Sequence, residues 1–341
     1  MESRKLRIAV IAGGYTGEHD VSLKSAENVL NAMDQRIFDP YLIVWSESKK
    51  ATDRGATLHY KGKLYPVDLN RFSVQLEEGE LTFDYAFIVI HGSPGEDGKL
   101  QGYLDIMGIP YNTGGVLAQA ITFHKQKLKE LVKSFGILVP RGVEVARGQE
   151  AHFADNFIKS PSFPLPLFVK PCQGGSSIAT TKITKWEQLS SSLKQATAED
   201  LEGVALLEEM IQGTEVTCGA IRLNGKSRLL AITEVVPKGA EFFDFDAKYS
   251  GSTDEITPAR IPQEYADEIA SITLRLGDIV QLEGLYRADF IIDAQGTPYL
   301  LEVNTVPGMT SESFIPKQIK AAACTLPEVL SEIILKGYSA K

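Results

Sequence analysis

The segment Arg287-Ala-Asp289-Phe-Ile-Ile-Asp293-Ala-Gln-Gly296-Thr-Pro-Tyr-Leu-Leu-Glu302-Val-Asn304 reads as two strands around a tight turn, with chemistry on one face. Side chains alternate faces along a strand. If the hairpin is centred on Gln295-Gly296, Asp289 lies opposite Glu302 and Arg287 opposite Asn304. Ala288, Phe290, Ile292, Leu301 and Val303 then point to the other, apolar face. Two carboxylates directly opposed on a sheet repel, so the register calls for positive charge between them. Asp289, Glu302 and the Asn304 carbonyl are hard oxygen ligands, and three of them converging suit Mg²⁺ shared between protein and nucleotide. A solvated outer face of an antiparallel sheet accounts for the same pattern equally well when the hairpin is taken alone.

A chain of 341 residues is too long for one ordinary hydrophobic core and implies two or three domains, with room for a site between them. With 43% hydrophobic and 23% charged residues, the composition is that of a globular protein rather than a disordered or fibrous one. The formal net charge of −9 opposes binding to nucleic acid or acidic membranes. A polyanionic ligand must therefore meet a local cluster of Lys and Arg, which favours a small phosphate compound as partner. Cys172, Cys218 and Cys324 are far apart, odd in number and without a C-x-x-C pair, so neither a zinc site nor a disulfide framework is expected and a reducing cytoplasm fits. The apolar run Ile8–Ala12 ends in Gly13-Gly14, too short for a signal-peptide core, and no segment approaches a ~20-residue membrane span.

Leu6–Ala12 reads as a buried strand, followed by a Gly-rich turn and a helix from Asp20 to Met33, a strand-to-helix unit of an α/β layer. Tyr41–Trp45 and Tyr85–Ile90 supply further strands, and Leu100–Met107 a helix stopped by Gly108-Ile-Pro110. The first domain, residues 1–113, is expected to be an open parallel-sheet α/β unit. A helical pattern then runs from Gly114 to Phe135, followed by strands at Pro164–Lys170, Ile178–Ile183 and Ala205–Glu209 with a helix around Lys185–Ala196. These make residues 114–211 a small α+β domain. Residues 212–341 form the third, with strands between Glu215 and Val236, a helix at Glu264–Leu282 and the carboxylate hairpin.

Val169-Lys170-Pro-Cys-Gln-Gly174-Gly175-Ser176-Ser177-Ile178 sets a lysine at a strand end before small residues whose backbone N–H groups can approach phosphate. β-branched residues follow the loop where a Walker motif would open a helix, so it reads as a strand-loop-strand flap. Gly225-Lys226-Ser227 has alanine at 220 in place of the Walker glycine and reads as a hairpin turn. The first turn, Gly13-Gly14-x-x-Gly17, lacks dinucleotide-binding spacing. Glu18, His19 and Asp20 sit where the first strand hands over to its helix, the edge at which open α/β sheets bind ligands, although acidic residues there also suit helix capping. His91 occupies an equivalent edge after Tyr85–Ile90, where a satisfied loop histidine is the simpler reading.

Taken together these segments resemble the D-alanine–D-alanine ligases of the ATP-grasp superfamily, in order and over nearly the whole chain. Gly13-Gly-Tyr-Thr-Gly-Glu18-His-Asp-Val-Ser-Leu23, His91-Gly-x-x-Gly-Glu-Asp-Gly-x-Leu-Gln-Gly102 and Tyr299-Leu-Leu-Glu302-Val-Asn304-Thr-x-Pro-Gly308-Met-Thr-Ser-x-Ser313 are similar to the family's three signatures. The resemblance implies an ATP-grasp architecture in which ATP lies between two α+β domains. Lys125 and Lys170 would meet its phosphates, the strand around Glu208–Ile211 its adenine, and Glu215 its ribose. Asp289, Glu302 and Asn304 would hold Mg²⁺, with two ions expected and Mn²⁺ able to substitute. Glu18 would face the ammonium of the first D-alanine in a network with Ser176 and Tyr249, with His91 at the same substrate. Arg287 and the Gly308 N–H would hold the reacting carboxyl oxygens, and Ser313 and Lys248 the carboxylate of the second D-alanine.

The implied reaction passes through an acyl phosphate, under a water-excluding lid at 241–260, and makes a dipeptide for peptidoglycan in the cytoplasm. A homodimer is implied as well. Two departures stand out: Gly174 replaces a charged residue of some relatives, and His124 precedes Lys125 where others carry Asp. An ATP-grasp ligase with another acceptor, D-lactate or a different amino acid, remains an alternative, which Tyr249 disfavours by resemblance. A catalytically silent nucleotide-binding regulator is the other, which the intact Asp289, Glu302, Asn304 and Arg287 disfavour.

Overall fold

The structure, a computed structural model, describes residues 4–46, 48, 55–175, 177–237 and 253–339. Its first sheet is built on β1 (Leu6–Gly13), flanked in parallel by β2 (Phe38–Trp45) and β7 (Tyr85–Ile88). Parallel strands need cover on both faces, and residues Ile8 to Ala12 of β1 are all fully buried. Ile8, Val10 and Ala12 pack toward α1 (His19–Ala32) and α9 (Leu326–Ser339). Ala9 and Ile11 pack toward the face that holds Leu100 and Leu104 of α2 (Lys99–Met107). The expected open parallel sheet is thus present, extended by a meander absent from the sequence reading: β3 (Ala56–Tyr60), β4 (Lys63–Asp68), β5 (Ser73–Leu76) and β6 (Gly79–Thr82) run antiparallel beyond β2. The C-terminal helix α9 lies in one core cluster with this sheet, where a Cβ on Gly337 would come within 2.6 Å of the Tyr85 hydroxyl.

The helix expected across residues 114–135 is two, α3 (Val116–Phe123) and α4 (Lys125–Lys133). His124 separates them in an extended conformation because its backbone bridges to Gln173, while the Lys125 N–H donates to the Cys172 carbonyl at 3.0 Å. The second sheet has the order β10-β9-β11-β8, from β8 (Gly142–Ala146), β9 (Leu167–Pro171), β10 (Thr181–Ile183) and β11 (Val204–Glu209), all antiparallel. Helices α5 (Glu150–Lys159) and α6 (Leu189–Glu199) cover one face through Ala154, Phe157, Leu189 and Leu193. The glycine loop joins β9 to its neighbour β10, as a strand-loop-strand flap requires.

The third sheet has the order β14-β13-β12-β15-β16, from β12 (Thr214–Leu223), β13 (Lys226–Pro237), β14 (Thr253–Ile256), β15 (Gly284–Ile292) and β16 (Pro298–Asn304). Its apolar face packs on α7 (Gln263–Val280) through Ile269, Ile272 and Leu276. Asn224-Gly225 turns the chain between β12 and β13, as the hairpin reading anticipates. Helix α8 (Phe314–Ala321) follows the hairpin. Of the expected lid, residues 241–252 lie outside the described residues. Thr253–Ile256 pairs with β13 as an edge strand, so this end of the segment is anchored in the sheet.

Candidate active site

The carboxylate hairpin has the register read from its sequence: Asp289 pairs with Glu302 and Arg287 with Asn304. A bulge between Asp289 and Phe290 puts Leu300, not Leu301, opposite Phe290. Leu300 is therefore the fully buried core residue, and the expectation for Leu301 is corrected: it lines a cavity beside Glu302. An extra residue on one strand shifts facing on one side of the bulge only.

The positive charge demanded by the opposed carboxylates is supplied by the chain. Arg287 grips Asp289 with both prongs of its fork, Nε to Oδ1 and Nη2 to Oδ2, each at 2.9 Å. The Thr217 hydroxyl and the Asn304 amide donate to the same carboxylate at 2.5 and 3.0 Å. Lys125 Nζ lies 3.7 Å from Glu302. Asp289 and Glu302 hold the buried Arg287 guanidinium above its ordinary value against the cost of burial, so it stays charged. With the Asn304 Nδ2 spent on Asp289, its amide oxygen is the atom left to ligate. Carboxylates 289 and 302 and that oxygen form an all-oxygen set on one strand pair, which fits a hard divalent cation.

Two cavities meet at this hairpin. One, of about 550 Å³, lies between the second and third sheets and is lined by Lys125, Lys170, Glu208, Ile211, Glu215, Asp289 and the flap glycines Gly174 and Gly175. The other, of about 690 Å³, reaches the first domain and is lined by Glu18, His91, Glu96, Asn304, Gly308 and Ser313. Arg287, Glu302, Lys125, Phe314 and the flap glycines belong to both. The structure thus brings the described candidates into one bipartite site. Ser176, Lys248 and Tyr249 lie outside the described residues.

In the first cavity Lys170 ion-pairs with Glu208 Oε2 at 2.7 Å, and Lys125 donates to the Gly174 carbonyl at 2.6 Å. The other oxygen of Glu208 is paired with Lys129, a lysine only 1% exposed that sequence reasoning missed. Burial and the neighbouring Lys170 charge push the Lys129 amine well below its ordinary value. Its four-residue spacing from Lys125 places both on one face of α4, a signal legible in the sequence. The Glu208 carboxylate is therefore the partner of two lysines.

In the second cavity Glu18 stands at the N-cap of α1, but its side chain makes no capping bond. A Cβ on Gly175 would lie 2.5 Å from its Oε2, so the flap backbone rests on this carboxylate. His91 has both ring nitrogens engaged, Nδ1 with the Val306 carbonyl at 2.8 Å and Nε2 with Ser25 Oγ at 3.1 Å. A carbonyl only accepts, so Nδ1 carries the proton, Ser25 donates to Nε2 and its oxygen receives the Met309 N–H at 3.2 Å. Burial pushes the imidazole below its ordinary value, and it stays neutral at pH 7. His91 thereby fixes the loop that carries Gly308. Glu96, also missed, accepts from the Gly92 and Val306 N–H groups at 2.7 and 3.2 Å. Burial first, and Glu18 second, raise its carboxyl to about 8. Ser313, at the N-cap of α8, accepts the Thr310 N–H at 3.1 Å and faces the same cavity.

Comparison with known proteins identifies the family. The family model "D-ala D-ala ligase N-terminus" matches residues 7–114 and "D-ala D-ala ligase C-terminus" residues 131–335. The chain is 45% identical to the D-alanine–D-alanine ligase of Porphyromonas gingivalis, covering 98% of this chain and 99% of that one. It is 41% identical to the enzyme of Parabacteroides distasonis, covering 97% of each. Among solved structures, a D-Ala:D-Ser ligase from Enterococcus faecalis superposes with a TM-score of 0.84 at 28% identity over 98% of this chain and 100% of that one. A D-alanyl-alanine synthetase A from Vibrio cholerae gives 0.84 at 25% identity over 99% of each. Two family models that between them span nearly the whole chain, and relatives matched from end to end, establish that the chain belongs to the D-alanine–D-alanine ligase family.

Proposed function

We propose that this chain joins two D-alanine molecules at the expense of ATP, as a step in making peptidoglycan precursors. The observation that carries the reading is the pair of cavities sharing Arg287, Glu302 and Lys125. ATP occupies the one lined by lysines and the C-terminal end of β11, and the amino acids occupy the one lined by Glu18 and the N-terminus of α8. The carboxylate of the first D-alanine, its ammonium directed at Glu18, attacks the γ-phosphate to give an acyl phosphate and ADP. The amine of the second D-alanine, freed of its proton, then attacks the acyl carbon, and phosphate leaves.

Lys125 and Lys170 neutralise charge on the phosphoryl oxygens, and Arg287 with the Gly308 N–H stabilises the oxyanion of the tetrahedral stage. Ser313 binds the second carboxylate, favoured by the N-terminus of α8. Asp289, Glu302 and Asn304 would hold divalent cation, two Mg²⁺ ions with Mn²⁺ as substitute, which would supply polarisation of the transferring phosphate. Glu215 takes the ribose hydroxyls and Ile211 packs at the adenine. Ser176, Lys248 and Tyr249 take the substrate roles that the family resemblance gives them.

Among the described residues no helix is long and apolar enough to cross a membrane. A cytoplasmic homodimer is the state we assign, supported by the family resemblance and by Ile106 and Leu117, which are 81% and 70% exposed on α2 and α3. The test is phosphate release with ATP and Mg²⁺ across D- and L-alanine, D-serine and D-lactate, with products identified by mass. Turnover with D-alanine alone yielding the dipeptide is the expected result. Turnover only when D-serine or D-lactate is added would replace the acceptor, and no turnover with any would overturn the reading.

A further inference from the structure

His124, at the break between α3 and α4, lies beside two residues the ligase reaction does not use. Its ring, the Glu144 carboxylate on β8 and the Cys172 thiol just past β9 place their ligand atoms within 4.8 Å of one another. Cys172 is fully buried, while the His124 and Glu144 side chains are 13% and 30% exposed and open the cluster to solvent on one side. The three are not satisfied by each other. His124 Nε2 is 3.8 Å from Glu144 Oε1, too far for a hydrogen bond. That oxygen is buried and makes no hydrogen bond among the described residues; its ion-pair partner is the half-exposed Lys127, whose Nζ at 3.7 Å a bound cation would displace toward solvent.

The frame behind the cluster is rigid. Lys125 N–H donates to the Cys172 carbonyl, Cys172 N–H to the Val204 carbonyl, both at 3.0 Å, and Gln173 N–H to Asp200 at 2.7 Å. A thiolate, an imidazole and a carboxylate form a borderline-soft donor set that suits Zn²⁺ and is poorly matched to Mg²⁺. Bond lengths of about 2.0–2.3 Å imply ligand separations of roughly 3.3–3.6 Å in a tetrahedron, so the cluster must contract by about 1 Å, within reach of side-chain rotation.

We propose that His124, Glu144 and Cys172 form a second cation site, selective for Zn²⁺-like ions over Mg²⁺, which when filled clamps the start of α4 to the stem of the glycine flap. Zn²⁺ binds Nε2, one Glu144 oxygen and the sulfur, with water as fourth ligand. Burial raises the Cys172 thiol to about 12, so the S–H proton leaves as the S–metal bond forms, one proton released per ion. The ring proton moves to Nδ1, which gives up its 3.5 Å contact from the Lys127 N–H. Because contraction of the cluster moves His124, and the adjoining Lys125 donates to the Gly174 carbonyl, filling the site displaces a lysine that lines the first cavity, and the site acts as an inhibitory one. This last step rests on the ligase reading; the binding itself does not.

The test titrates Co²⁺ into metal-free protein in excess Mg²⁺, which occupies the all-oxygen site and gives no sulfur signal. One equivalent is expected to produce a thiolate-to-cobalt charge-transfer band that Zn²⁺ abolishes, with one proton released. The band is expected to vanish in Cys172→Ser, persist in Cys324→Ser, and require at least tenfold more Co²⁺ in His124→Asn and Glu144→Gln. No band in the wild type, or a band retained in Cys172→Ser, overturns the site. If Cys172→Ser does not fold, undiminished affinity in Glu144→Gln overturns it instead. Zn²⁺ should also raise the ATP KM at least fivefold in the wild type and not in Glu144→Gln, and equal inhibition of both overturns the clamp. A protein that binds Co²⁺ as described but releases no phosphate would refute the ligase reading and leave the site standing.

Discussion

Replacing Arg287 by lysine preserves the charge and removes the fork, which makes it the sharpest probe of the hairpin. Both prongs reach Asp289 at 2.9 Å, and the side chains of the pair are each 14% exposed. Lysine offers a point charge where a planar group meets two oxygens. Losing one charge-assisted bond costs ~1.5–3 kcal/mol. Losing the stacking on Phe314, whose ring centre is 5.1 Å from Cζ, costs ~0.5–2 kcal/mol. The folded chain should therefore lose about 2–5 kcal/mol, visible as a lower thermal midpoint. In catalysis the missing oxyanion donor should lower kcat by about 10²–10³. Steady-state phosphate release at saturating D-alanine separates kcat from the ATP KM. An unchanged kcat with a raised ATP KM would place Arg287 on the nucleotide and refute its assignment to the carboxyl oxygens.

Glu302→Gln removes one anion from the all-oxygen set while keeping its shape, so turnover should fall below detection at ordinary Mg²⁺ and recover partly at high Mg²⁺; near-normal activity would remove Glu302 from the metal site. Gly175→Ala would set a methyl 2.5 Å from Glu18 Oε2. Because a carboxylate end can swing aside, the thermal midpoint should hold while the D-alanine KM rises several-fold, and an unchanged KM would detach Glu18 from the substrate. His91 is held neutral by burial, below its ordinary value, so its contribution to stability is full above an unfolded value of ~6.5 and is lost as pH falls below it. His91→Asn should flatten that part of the stability profile, and an identical acid slope in both proteins would show that His91 titrates normally.

Strand alternation made the hairpin legible. A period of two fixes which residues share a face, so pairing Asp289 with Glu302 needed only the turn position. The bulge that exchanges Leu300 for Leu301 left no mark, since both positions are leucine. The break at His124 was hidden for a different reason. Apolar spacing continues through residues 116–135, and what interrupts the helix is a backbone bridge to Gln173, a partner 49 residues away in the chain. The motif containing Glu96 was visible as a loop, but the burial that raises its carboxyl depends on Val306 arriving from the third domain and on Glu18 from the far end of its own. That α9 would close the core of the first sheet was equally invisible, because an amphipathic helix does not name its partner.

The same geometry constrains how Arg287 can serve two masters. Asp289 accepts from Thr217, Asn304 and twice from Arg287, which saturates the four acceptor directions of a carboxylate. Asp289 can contribute an oxygen to a cation only by releasing one of these donors. Thr217 and Asn304 have short side chains on neighbouring strands and little freedom to withdraw, whereas the guanidinium sits on a long stem facing both cavities. Arg287 is therefore the donor that turns, and the direction left to it is the cavity holding Glu18 and Gly308. With the roles proposed above, the arginine is stored on Asp289 and would become available to carboxyl oxygens only as Asp289 takes up a cation. Asp289→Asn would break the storage without removing the arginine. It should cost stability through a half-paired buried guanidinium, by ~3–5 kcal/mol, and should depress kcat even at saturating Mg²⁺. A variant of wild-type stability would mean that Arg287 has a second resting partner, and the coupling would fall.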